Sequence, residues 1–205
     1  VMSSRQAFGL TSAQLSALVS DQVSVLGASV VGALSSVQLG GFGSEVIAGL
    51  TTEQVAALSS VQLGALSTGG LVGMESEDVG VLSSAQVRGF GSRQMRAFGT
   101  EQIAAIGAGA IRGIGTMGLN GLQSVQVAAL TTEQVSMLTS VQLGSLATGV
   151  LLGMESEDLA VLSGIQVGGL TTGQMRAFGS EQVGAIGTEA FAALKSTQLG
   201  ALSTG

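Results

Sequence analysis

The chain has 205 residues, with seven basic and thirteen acidic side chains, a net charge of −6, and no His, Cys, Trp, Tyr or Pro. This excludes a nucleic-acid binder, which needs clustered Lys and Arg, and it excludes disulfides and thiolate metal sites. Apolar residues make up 45%, yet Ser, Thr, Gln, Gly or Glu interrupts every octet, so no run of about 18 apolar residues exists and no membrane-spanning helix is expected.

From Met2 the chain repeats in octets. Position one runs Met2, Leu10, Leu18, Leu26 and onward to Leu202, and every member of the series is large and apolar. Position six is Leu15, Val23, Val31 and so on to Leu199; only Ala7 among 25 is small. Position three is Ser or Thr in 23 of 26 octets, position five is Gln in 16 of 25, and position eight is mostly Ala or Gly. A continuous helix cannot keep every eighth residue on one stripe. A continuous strand would turn positions one and six to opposite faces. The unit must bend.

The bend can be placed. Position six and the next position one are three apart, which is helical spacing. Position three carries N-capping residue types. Position two is often Gly, as at Gly43, Gly91 and Gly99, which predicts a left-handed stop. Where position two is Thr, as in Thr51 with Gln54, a capping box is expected. Small residues at position eight let neighbouring backbones approach. The expected fold is therefore all-α, a solenoid of very short helices, one per octet, running unbroken over residues 1–205. The alternative is a β-solenoid, favoured by Val at position six and by the Gly, Ser and Thr content. Leu, Met, Ala, Gln and Glu inside each unit favour helix. Two buried side chains contribute roughly 1.5–3 kcal/mol each, whereas ordering costs about 1–2 kcal/mol per residue. One octet falls short alone, so stability must come from stacking. No capping repeat is visible at either end, and Val1 stands inside the repeat rather than in a leader. The chain reads as an interior piece that invites continuation.

Along the chain, octets without Gln at position five include a set that begins at Leu26, Leu66, Ile106, Leu146 and Ile186, at intervals of five octets, and a second set one octet later at Met74, Ile114 and Met154. A stronger ten-octet echo overlies this, with residues 50–78 returning as 130–158. Leu71-Val72 and Leu151-Leu152 add an apolar residue at position seven, and a row of such sites would be a self-assembly contact. The densest charge is Glu75, Glu77 and Asp78, echoed by Glu155, Glu157 and Asp158. These are weak calcium candidates, since calcium takes six to eight oxygens. The favoured reading is ion pairing. Arg96 follows Glu75 at a distance somewhat short of three octets, and Arg176 follows Glu155 at the same distance. A coil of that length would stack them as salt bridges.

No catalytic constellation emerges. Gly113–Gly118 matches GxGxxG by chance in a chain with 33 Gly and lacks the βαβ context that a nucleotide needs. Lys195-Ser196 is a poor basis for nucleophilic catalysis, and no His is present to activate a hydroxyl. The paired Thr residues, Thr51-Thr52 among them, are too interrupted for a flat ice-binding ladder. No enzyme activity, cofactor or catalytic residue is expected.

The unit L-[ST]-[ST]-x-Q-[VIL]-x-[AG], recurring from Met2 to Gly205, resembles the LTTxQVxAL octapeptide arrays of very large bacterial surface or secreted proteins. That resemblance implies an extracellular or cell-surface structural role, such as a stalk or filament. The expected partners are copies of itself, end to end or side by side. The alternative is an adhesin-type scaffold that grips a peptide, polysaccharide or cell-surface ligand.

Overall fold

The computed structural model describes residues 6 and 9–202. Among the described residues, twenty-four short helices follow one another from α1 (Ser12–Ser16) to α24 (Ser196–Leu199), each four to six residues long. Among the described residues there is no strand, so the β-solenoid alternative falls. Each helix before the last coil packs against the third helix after it. Three octets therefore make one coil, and the twenty-four helices make eight coils.

The bend differs in detail from expectation. Position two, not position three, is the N-cap. Thr51 has φ −84° and ψ 156°, and helix Thr52–Ala56 starts at position three. Gly at position two is also an N-cap in extended backbone, with φ −86° at Gly91. No described residue has positive φ, so the left-handed stop is absent. The helix is simply left through position one, which is extended at Leu66 (φ −62°, ψ 137°). A helix this short needs no Schellman stop, because its terminal groups are satisfied by another means.

That means is the Gln at position five. Thr51 donates its N–H to Gln54 Oε1 at 2.8 Å, while Gln54 N–H donates to Thr51 Oγ1 at 3.3 Å. This is the expected capping box. The same carboxamide then turns its Nε2 outward to the coil below, donating to the Val23 carbonyl at 2.9 Å and the Leu26 carbonyl at 2.6 Å. One side chain thus satisfies an orphan donor at the start of its own helix and the open Leu26 carbonyl beyond the end of another, and adds a donor to the Val23 carbonyl, which also accepts from the Leu26 N–H. The pattern recurs at Gln94, Gln126, Gln142 and Gln174, each reaching the equivalent two carbonyls of the coil below. It does not depend on the cap residue: Gly91 N–H is held by Gln94 Oε1 at 3.0 Å.

Positions six and one fill the interior, as the spacing predicts. Val55, Leu63, Val79 and Met95 at position six are fully buried, and Leu58, Leu66, Leu82 and Phe98 at position one are buried beside them. Phe90 and Phe98 meet edge to face at 5.0 Å, an arrangement worth about 0.5–1.5 kcal/mol beyond burial. The inner face is wider than two positions, since Val30, Val46, Ala110 and Ala190 at position five are buried too. Position eight lies directly on position three of the coil below. A Cβ on Gly73, Gly89, Gly113, Gly121 or Gly153 would overlap the carbonyl of Ser44, Ser60, Ser84, Ser92 or Ser124 respectively.

This packing gives opposite signs to two similar substitutions. Gly113→Ala drives a methyl into the Ser84 carbonyl and is expected to destabilise by about 1–3 kcal/mol. Gly149→Ala, on a helix with open space around it, is expected to stabilise by about 0.4–1 kcal/mol. Denaturant unfolding of both variants checks the sign. Gln54→Leu strands the Thr51 donor and the Leu26 carbonyl, and removes one of the donors to the Val23 carbonyl. With a buried group left unpaired costing about 1–3 kcal/mol, a loss of roughly 2–4 kcal/mol is expected in the same measurement.

Candidate functional site

Three-fold coiling decides which residues share an edge, because side chains three octets apart lie one above another. Position four points outward. Glu53, Glu77 and Glu101 form an exposed column on the stacked helices Thr52–Ala56, Ser76–Gly80 and Thr100–Ala105. Glu133, Glu157 and Glu181 form a second on Thr132–Met137, Ser156–Ala160 and Ser180–Ala185. Beside each column runs an open groove. The first, of about 820 Å³, is lined by Val72, Met74, Glu75, Glu77, Ala97 and Glu101 among others. The second, of about 570 Å³, is lined by their equivalents ten octets on, including Leu152, Met154, Glu155, Glu157, Ala177 and Glu181. Each groove has an acidic wall and an apolar floor. The acidic octets were legible in the sequence. The columns were not, because they appear only at a spacing of three octets.

The expected salt bridges are not formed. A coil takes three full octets, longer than the spacing of each Glu and Arg. Arg96 stands in the second octet after that of Glu75 and so faces another side. It donates instead through Nε to the Gly121 carbonyl at 3.5 Å, in the coil that follows. Arg112 does the same to the Met137 carbonyl at 2.9 Å.

The acidic triplets also divide. Glu75 and Glu77 are exposed, as are Glu155 and Glu157, while Asp78 and Asp158 are each only 3% exposed. Among the described residues no group of three or more acidic side chains is arranged to hold a metal ion, so neither triplet forms a calcium ligand set. The reason is register. Asp78 and Asp158 stand at position five, the inward Gln position, and the glutamates at the outward positions two and four.

The proposed contact residues divide likewise. Leu71 and Leu151 are core residues at position six, closed to any partner, while Val72 and Leu152 are exposed. These two do not form a row. They are ten octets apart, which is three coils and one octet, so they lie on neighbouring faces.

Burial raises the carboxyl pKa of Asp78 above its ordinary value. The hydrogen bond from the Glu75 backbone opposes this, and the charges of Glu75 and Glu77 add to it. Asp158 is raised for the same reasons, with the Glu155 N–H donating to Oδ2 at 3.3 Å. An ionised carboxylate has no N–H for the carbonyls that Gln Nε2 meets elsewhere. Raised folded-state values mean that these groups stabilise the fold fully below the unfolded carboxyl value of about 3.9, and that this contribution fades as pH climbs through the folded values. The expected outcome is that Asp78→Asn with Asp158→Asn raises the unfolding midpoint at pH 7 and flattens its dependence on pH between about 4 and 7. Thermal melts across that range check it.

A family model for the ALTTAQ repeat matches residues 31–68, 71–108, 151–188 and 167–204, together more than half of the chain. Three of these matches start at 31, 71 and 151, on the five-octet rhythm of the octets that lack Gln. Curated proteins give no significant match. The chain belongs to the ALTTAQ repeat family.

Proposed function

We propose that this chain is a structural rod, an extracellular or cell-surface stalk or filament element that works by self-association and has no catalytic role. The observation that carries this reading is the uniformity of the coil-to-coil bond. Between Gln54 and Gln198 most glutamines at position five make the same contact to the same two carbonyls of the coil below, and the three-octet stacking continues through the octets that lack Gln. Added octets therefore add length without changing geometry, which is what a spacer requires. With adjacent helix layers about 8–10 Å apart, eight coils span roughly 65–80 Å. The absence of Cys and the scarcity of Lys and Arg suit a chain exposed to oxidants and trypsin-like proteases.

A second reading is favoured by the duplicated acidic grooves. There the rod displays Glu77 with Glu101, and Glu157 with Glu181, to a cationic segment of a cell-surface ligand. The two readings separate in one comparison. Negative-stain images are expected to show rods or fibres whose length grows in proportion when ten octets are inserted, and antibody labelling of intact bacterial cells is expected to reach the chain. Dispersed particles of unchanged length would refute the rod. Loss of ligand capture in a Glu77→Gln, Glu101→Gln variant with rods intact would favour the scaffold.

A further inference from the structure

We propose that two copies of this chain pair antiparallel along one face of the solenoid, about a two-fold axis at Val141. This rests on the structural-rod reading and gives its side-by-side association a register. The face is built by the stacked helices Ser92–Ala97, Thr116–Leu119, Ser140–Ser145, Gly164–Val167 and Thr188–Ala192, each touching the next. Their position-four residues are Arg93, Met117, Val141, Ile165 and Glu189, one per coil and all exposed. Met117 is 75% exposed, Val141 69% and Ile165 81%.

The order is symmetric in a specific way. Arg93 and Glu189 each lie two coils from Val141, on opposite sides. Turning a second copy end for end about Val141 sets Met117 against Ile165 of the other copy, and Arg93 against Glu189 at both ends. A parallel copy would instead set Arg93 on Arg93 and Glu189 on Glu189. The interface is therefore isologous, with charge complementarity choosing its direction. The equivalent column ten octets earlier is Ala13, Val37, Val61, Ala85 and Gly109. It has the apolar centre without either flanking charge, so the pairing belongs to the later column. Five helix layers about 8–10 Å apart and roughly 10–12 Å wide give on the order of 500 Å² per copy. That is below the roughly 800 Å² of a standard interface, so the pair is reversible and concentration-dependent.

Absence of native Cys makes the register directly testable. Under mild oxidation Val141→Cys is expected to give a covalent dimer, Met117→Cys alone none, and Met117→Cys with Ile165→Cys a dimer again. In sedimentation, Arg93→Glu is expected to weaken dimerisation roughly tenfold, and Arg93→Glu with Glu189→Arg to restore it. Cross-linking of Met117→Cys alone as readily as Val141→Cys would overturn the antiparallel register. A Val141→Cys chain that stays monomeric on oxidation, with its helical circular dichroism intact, would overturn the pairing altogether. Images without rods alongside a Val141→Cys dimer would remove the structural-rod reading and leave the pairing standing.

Discussion

The buried carboxamide of position five sets the terms for everything else in this molecule. A helix of four to six residues has more unsatisfied terminal groups than internal hydrogen bonds, so an array of such helices is viable only if each end finds a partner. Gln fits this role because its amide carries an acceptor and two donors on one planar group. Oε1 takes the N-cap N–H while Nε2 reaches two carbonyls on the coil below. Glu would lose the donors, and Asn is shorter by one methylene. The bond reinforces a coil of three octets, since that length brings the end of the earlier helix under the amide.

Once the coil is three octets, the slower sequence rhythms acquire a geometric meaning. Five octets are one coil and two thirds, so the octets without Gln pass in turn to each of the three faces. The missing amides are therefore spread around the rod and do not open a seam along one side. Several of these octets compensate with burial, placing Val30, Ala110 or Ala190 at position five, where an apolar side chain takes the Gln site. In the octets from Met74 and Met154, which also lack Gln, Asp78 and Asp158 keep a polar group there whose charge burial disfavours.

Much of this architecture can be read from single residue types at fixed spacing. The octet, its helical character, the core at positions one and six and the close approach at position eight all depend on local propensity and on period. The Thr51–Gln54 capping box was legible for the same reason. What stayed hidden depends on the number of octets per coil, which no local pattern states. That number decides that Glu75 and Arg96 cannot meet, that Val72 and Leu152 lie on different faces, and that Glu53, Glu77 and Glu101 form a column. One signal was present. Gln94 and Gln102 follow Gly91 and Gly99, which have no side chain to cap with, and a Gln retained where half its capping box is gone must serve a second partner. The Gly at position two misled because Gly is permissive in both halves of φ space; at these positions it is merely a small N-cap.

Duplication in units of ten octets has a consequence for assembly that follows from the same arithmetic. Ten octets are three coils plus one octet, so each duplicate displays its features one face further round and three coils further along. The glutamate column moves from 53–101 on one face to 133–181 on the next, and the apolar column from 37–85 to 117–165. No face stays apolar for more than about three coils before acidic or small residues replace it. A rod with an uninterrupted apolar edge would zip laterally without limit and precipitate, a hazard of long unbroken hydrophobic surfaces. Rotation of the duplicates breaks that edge into short patches, each too small to hold a neighbour irreversibly. Lateral contact is thereby confined to places where charges at both flanks of a patch agree, as they do around Val141, and the number of such places, rather than the total apolar surface, sets how many neighbours one rod can hold.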